Sequence, residues 1–126
     1  MITGLRVALV LGGLLLGLIG VRFLIDPAAA GVDFGLAVEG AHGLTSVRSD
    51  LTSFFLVSGA CYIWGALARR RDPLIIGAAL MLVVLVCRLV SLALVGPFDG
   101  HIAPMVAELI LGALAITGAK KLPKTA

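Results

Sequence analysis

Residues 74–95 read LIIGAALMLVVLVCRLVSLALV, and this stretch decides the fold class. It carries a single charge, Arg88. A bilayer core takes roughly 20 apolar residues of helix, so a run this long and this apolar reads as a membrane-spanning helix. Three more stretches share its character, at about 5–25, 49–68 and 102–119. Mean hydropathy is +1.15 and only 13% of residues are charged, which leaves little of the chain outside the bilayer. Four spans and their connections use up nearly all 126 residues. The expectation is one all-α domain, 1–126, built as a four-transmembrane-helix bundle.

The segments between spans read as turns and one longer connection. Asp26-Pro27 ends the first span and is suited to start a short interfacial helix, with Asp26 as N-cap and Pro27 at the first helical position. The longest connection runs from about 26 to 47; within it Val32, Phe34, Leu36 and Val38 alternate with other residues, a weak strand signal broken by Gly35. Arg69-Arg70-Arg71-Asp72-Pro73 is a basic turn, and Gly96-Pro97-Phe98-Asp99-Gly100 is a turn by composition. Arg6, the apolar run 7–21 and Ala28-Ala29-Ala30 imitate a signal peptide, but Arg22 and Asp26 interrupt the pattern, so the segment is expected to stay as a first helix.

Charge sets the orientation. Arg6, Arg69, Arg70, Arg71, Lys120, Lys121 and Lys124 fall on one side, while the other side collects Asp26, Asp33, Glu39, His42, Asp50, Asp99 and His101. The positive-inside rule places both termini in the cytoplasm and the longest connection outside it. Tyr62 and Trp64 are expected at the cytoplasmic interface, where amphipathic rings collect. The net charge of +3 and the pI of about 9.3 do not point to nucleic acid, because the basic residues cluster at span ends, where anionic lipid is the natural partner. Cys61 and Cys87 read as small core residues. With only His42 and His101 there is no metal cluster to expect, and no cofactor is implied.

Helix contacts are expected from small residues. Gly13, Gly17 and Gly20 form one stripe on the first span, suited to packing inside the bundle. The charges within spans need partners, since a charge near the bilayer centre costs at least about 2.5–3.5 kcal/mol. Arg88 lies seven residues before the end of its span and Glu108 about six residues into the next. Both are therefore roughly 10 Å deep from the same side at 1.5 Å per residue, and antiparallel neighbours would bring them together. Arg22 and Asp26 stand at i, i+4, and Arg48 and Asp50 open the second span. The six residues Arg22, Asp26, Arg48, Asp50, Arg88 and Glu108 make a candidate polar cluster, either structural or ligand-binding. No catalytic motif appears: the chain has no HExxH, CxxC, GxSxG or phosphate loop.

Leu24-Ile25-Asp26-Pro27, Val47-Arg48-Ser49-Asp50, Cys87-Arg88-Leu89-Val90-Ser91, Asp99-Gly100 and Glu108, in that order and spacing, resemble a family of small bacterial four-helix membrane proteins. That family is catalogued as a domain of unknown function and is distantly similar to the DoxX-like proteins. Its pattern has an acidic residue just before the arginine matching Arg48 and Tyr-Gly-Gly after it; here Ser46-Val47 and Leu51–Phe54 stand there instead. The resemblance implies a four-helix bundle in the bacterial cytoplasmic (inner) membrane and no established activity. DoxX-like relatives include accessory subunits linked to quinone-dependent sulfur oxidation.

Three functions fit these observations. The first is a non-catalytic accessory or scaffold subunit of a larger membrane complex or homo-oligomer, surrounded by membrane lipids. The second is a binding protein, or an enzyme, for a lipid, quinone or isoprenoid held at the polar cluster. The third is a small oligomeric transporter.

Overall fold

The computed structural model describes residues 1–124. The elements are α1 (Ile2–Ile25), α2 (Pro27–Val32), α3 (Gly40–Leu67), α4 (Arg71–Val95) and α5 (Ile102–Lys121). Four of them, α1, α3, α4 and α5, are long and apolar enough to cross a membrane, the signature of a multi-pass membrane protein. Around the bundle α1 packs on α3, α3 on α4, α4 on α5 and α5 back on α1, while the backbones of α1 and α4 stand diagonally apart.

The helix borders differ from the sequence expectation mainly at α3, which begins at Gly40 and not near Ser49. Its first turns are polar but still helical, and the Thr45 hydroxyl turns back onto the Ala41 carbonyl. Residues 33–39 form no strand. The short helix after Asp26 does form: Pro27 occupies its first turn, and the Asp26 carboxylate accepts a hydrogen bond from the Ala29 amide at 3.1 Å.

Tyr62, expected at the membrane interface, is fully buried and sits at the centre of the bundle. Its neighbours are glycines. A Cβ on Gly77 of α4 would lie 2.7 Å from the Tyr62 ring, and one on Gly13 of α1 would lie 3.1 Å from its Cβ. The phenolic hydroxyl donates to the Leu111 carbonyl of α5 at 2.7 Å. One α3 side chain thus touches all three other long helices. Beside it α1 and α3 approach backbone to backbone: a Cβ on Gly13 would stand 2.7 Å from the Gly59 carbonyl oxygen, and one on Gly20 about 3.0 Å from the Leu56 side chain. The glycine stripe of α1 therefore faces α3 inside the bundle. Trp64, by contrast, is 57% exposed on the outer surface. Cys61 is buried, but Cys87 is exposed on α4, contrary to its reading as a core residue.

Burial is uneven along the bundle. The buried residues of α4, Pro73, Leu74, Gly77, Ala78 and Met81, all lie in its first half. At that end Leu74 fills the notches at Gly65 and Gly118. The same end is tied by arginines. Arg6 donates to the Ala66 and Leu67 carbonyls at the end of α3, at 2.9 and 3.2 Å. Arg69 donates to the Leu122 carbonyl just past α5, at 2.7 Å. These are the carbonyls that a helix leaves unpaired at its C-terminus, where a cation is also favoured by the helix dipole. The bundle is closed at the end that holds the N-terminus, the α3–α4 turn and the end of α5, and looser at the other.

Replacing Tyr62 with Phe keeps the ring and removes one hydrogen bond. It is expected to cost about 1 kcal/mol, while Tyr62→Ala, which opens a cavity under all four helices, is expected to cost about 3–5 kcal/mol. Equilibrium unfolding in mixed micelles measures both.

Candidate functional site

The looser half of the bundle holds a half-open cavity of about 450 Å³. Leu16 and Ile19 of α1, Leu51 and Phe55 of α3, Met81 and Val84 of α4, and Ala107 and Leu111 of α5 form its apolar walls. Phe34, from the connection after α2, joins them. It packs edge-on against Phe23 and Phe55 with ring centroids 5.2 and 5.7 Å apart, and Phe54 meets Phe55 at 5.1 Å. Phe34, Phe54 and Phe55 thus line the α1–α3 side, backed by Phe23, which stacks on Phe55 at 5.9 Å; the other contacts are edge-to-face, as the ring quadrupoles favour.

Two charged residues stand in this apolar lining, Arg88 and Glu108. Arg88 Nε donates to Glu108 Oε1 at 2.7 Å, joining α4 to α5. The turn at residues 96–101 reverses the chain so that a residue late in α4 faces one early in α5. Glu108 is only 9% exposed. Its face of α5 continues through Gly112, Ala115 and Ala119, all buried against protein. The contact uses one edge of each group. Glu108 Oε2 is shielded from water and accepts no hydrogen bond from the described residues. The Arg88 side chain keeps 31% of its surface and also borders a second, smaller cavity of about 280 Å³ with Cys87, Ser91, His101 and Met105. Arg88 and Val84 border both.

The other four residues of the expected cluster lie elsewhere. Arg22 does not pair with Asp26. It bonds to Asp33 at 2.8 Å, because the Asp26 carboxylate is engaged as the cap of α2. Arg48 lies two turns inside α3 and donates to the Leu24 carbonyl in the last turn of α1 at 3.0 Å, a helix-end contact of the same kind as those of Arg6 and Arg69. Asp50 is exposed and joins no ion pair among the described residues. The six residues therefore form no single network: Arg88 pairs with Glu108, Arg22 with Asp33, Asp26 caps α2, Arg48 serves α1, and Asp50 joins no ion pair among the described residues. The aromatic wall was not legible as a site in the sequence. Phe34 stood in a segment with a strand-like alternation, and only the fold of the 33–39 connection brings it over Phe23 and Phe55.

His101 Nδ1 lies 2.6 Å from the Phe98 carbonyl, so its polar contact is with the turn backbone and not with Asp99. Among the described residues no group of three or more His, Cys, Asp or Glu is placed to hold a metal ion.

Removing Arg88 alone strands a buried carboxylate. Arg88→Met is expected to cost about 3 kcal/mol, and the double variant Arg88→Met with Glu108→Leu is expected to recover most of that. Unfolding free energies of the two single variants and the double variant, measured as a cycle, test this.

Compared with protein-family models, with curated proteins and with solved structures, the chain finds no match in any of the three.

Proposed function

We propose that this protein binds a lipophilic small molecule in the cavity between its four long helices, with the polar head of that molecule at Arg88 and Glu108. The observation that carries the reading is an almost wholly apolar cavity of about 450 Å³ bordered by the Arg88–Glu108 pair, whose second carboxylate oxygen lies just behind the cavity surface without a hydrogen-bond partner among the described residues. That volume lies within the usual range for small-molecule sites, which combine apolar walls with a few placed polar groups. A charged pair is costly inside a bilayer and is a functional candidate on that ground. The ligand class is a lipid, quinone or isoprenoid, and the reading requires no catalytic group.

The rest of the proposal concerns place. The seven basic residues Arg6, Arg69–Arg71, Lys120, Lys121 and Lys124 support an orientation with both termini in the cytoplasm. The cavity then lies in the extracytoplasmic half. The family resemblance on Arg48, Arg88 and Glu108 supports a bacterial inner membrane and a distant DoxX-like affiliation. The accessory-subunit reading rests on small size and the lack of a catalytic motif. The cavity favours a ligand over it.

Native mass spectrometry of the protein extracted in mild detergent from its host is expected to show a discrete added mass of a few hundred daltons. Ala107→Trp, which fills the cavity, is expected to remove that mass while the bundle stays folded. A stable complex with another membrane protein and no added mass would make the chain an accessory subunit instead. Reporter fusions at the C-terminus are expected to be active only in their cytoplasmic form.

A further inference from the structure

The Arg88–Glu108 contact leaves a particular pattern of unused hydrogen-bonding groups, and that pattern narrows the ligand. The guanidinium spends Nε on Glu108 Oε1, and among the described residues its two terminal nitrogens donate to no protein acceptor. The carboxylate spends Oε1, and Oε2 accepts nothing. A side-on bidentate pair would have consumed both oxygens and a second nitrogen. What remains is one acceptor beside a set of donors, with no net charge. The terminal torsion of a glutamate is soft, so a small rotation of the carboxyl turns Oε2 toward the cavity.

We propose that this pair selects a neutral lipophile bearing a hydroxyl at its head, over a ketone, a carboxylate or a plain hydrocarbon of the same length. The inference rests on the cavity reading above and adds the head-group chemistry to it. A hydroxyl donates to Oε2 and accepts from an Arg88 terminal nitrogen, satisfying both partners at once. A ketone or quinone oxygen accepts from Arg88 but leaves Oε2 without a donor, as it is in the unliganded protein, and so gains one hydrogen bond where the hydroxyl gains two. A carboxylate meets Arg88 favourably but sets a second negative charge beside Glu108. A hydrocarbon answers neither group.

The test is competition against tritiated 1-dodecanol on the full-length protein in lipid nanodiscs. The competitors are unlabelled 1-dodecanol, 2-tridecanone, dodecanoate and dodecane. The expected result is displacement by the alcohol at a concentration at least about tenfold below that of any other competitor. Glu108→Gln keeps the shape of the side chain and offers an amide N–H in place of a carboxylate oxygen. In that variant the advantage of the alcohol over the ketone is expected to shrink to about unity. Displacement by all four competitors at similar concentrations would overturn the head-group selection and leave the cavity reading standing. A wild-type protein that retains no dodecanol above the Ala107→Trp background would overturn both. Unchanged alcohol preference in folded Glu108→Gln would overturn the role of Oε2.

Discussion

The bundle is organised around Tyr62. Lipid tails are as apolar as leucine, so helices in a membrane gain nothing by hiding hydrophobic faces from each other. They associate where shapes fit closely and where a polar group finds a partner. Tyr62 supplies both. Its ring rests in the notch at Gly77, its Cβ lies in the notch at Gly13, and its hydroxyl reaches the Leu111 carbonyl. Glycine is required at these notches because a single added methyl would fall within 3.1 Å of the tyrosine. The backbone contact between Gly13 and Gly59 follows from the same packing and brings α1 and α3 closer together than any pair of larger residues would allow.

Arginines tie helix ends at both ends of the bundle. A helix leaves its last carbonyls unpaired, and in or near a bilayer no water is at hand to satisfy them. Arg6, Arg48 and Arg69 each reach from one element to the carbonyls ending another, α3, α1 and α5 respectively. The residue after α3 shows how far this goes. Arg69 adopts the left-handed conformation, φ 53°, that glycine normally supplies at a helix end, and the Arg70 amide closes the turn onto the Gly65 carbonyl. Its side chain is then free to cap α5.

Arg88 belongs to a different class. It has no helix end to serve. It meets Glu108 where the packing of α4 has already given way, beyond the last buried residue, Met81. A buried ion pair is weak evidence for stability, since the cost of desolvating both charges offsets much of their attraction. Leucines at these two positions would seal the same hairpin. The proposed ligand would use the groups that this half-used ion pair leaves free.

The sequence by itself determined the four helices, the cap at Asp26 and Pro27, and the Gly-Pro turn between α4 and α5. Those depend on local composition and on runs long enough to match a bilayer. The alignment of Arg88 with Glu108 was also legible, because a tight turn between antiparallel helices makes depth a matter of counting residues. Tertiary structure alone decided the remaining partners. Arg22 had Asp26 and Asp33 within reach, and the choice fell to Asp33 because the cap of α2 had taken Asp26. Arg48 sits close to Asp50 in sequence yet serves the end of α1, and Tyr62 looks like an interfacial ring until the glycines of two other helices are placed around it. Sequence spacing reports which groups share a helix face; which neighbouring helix that face meets depends on packing that no local pattern encodes.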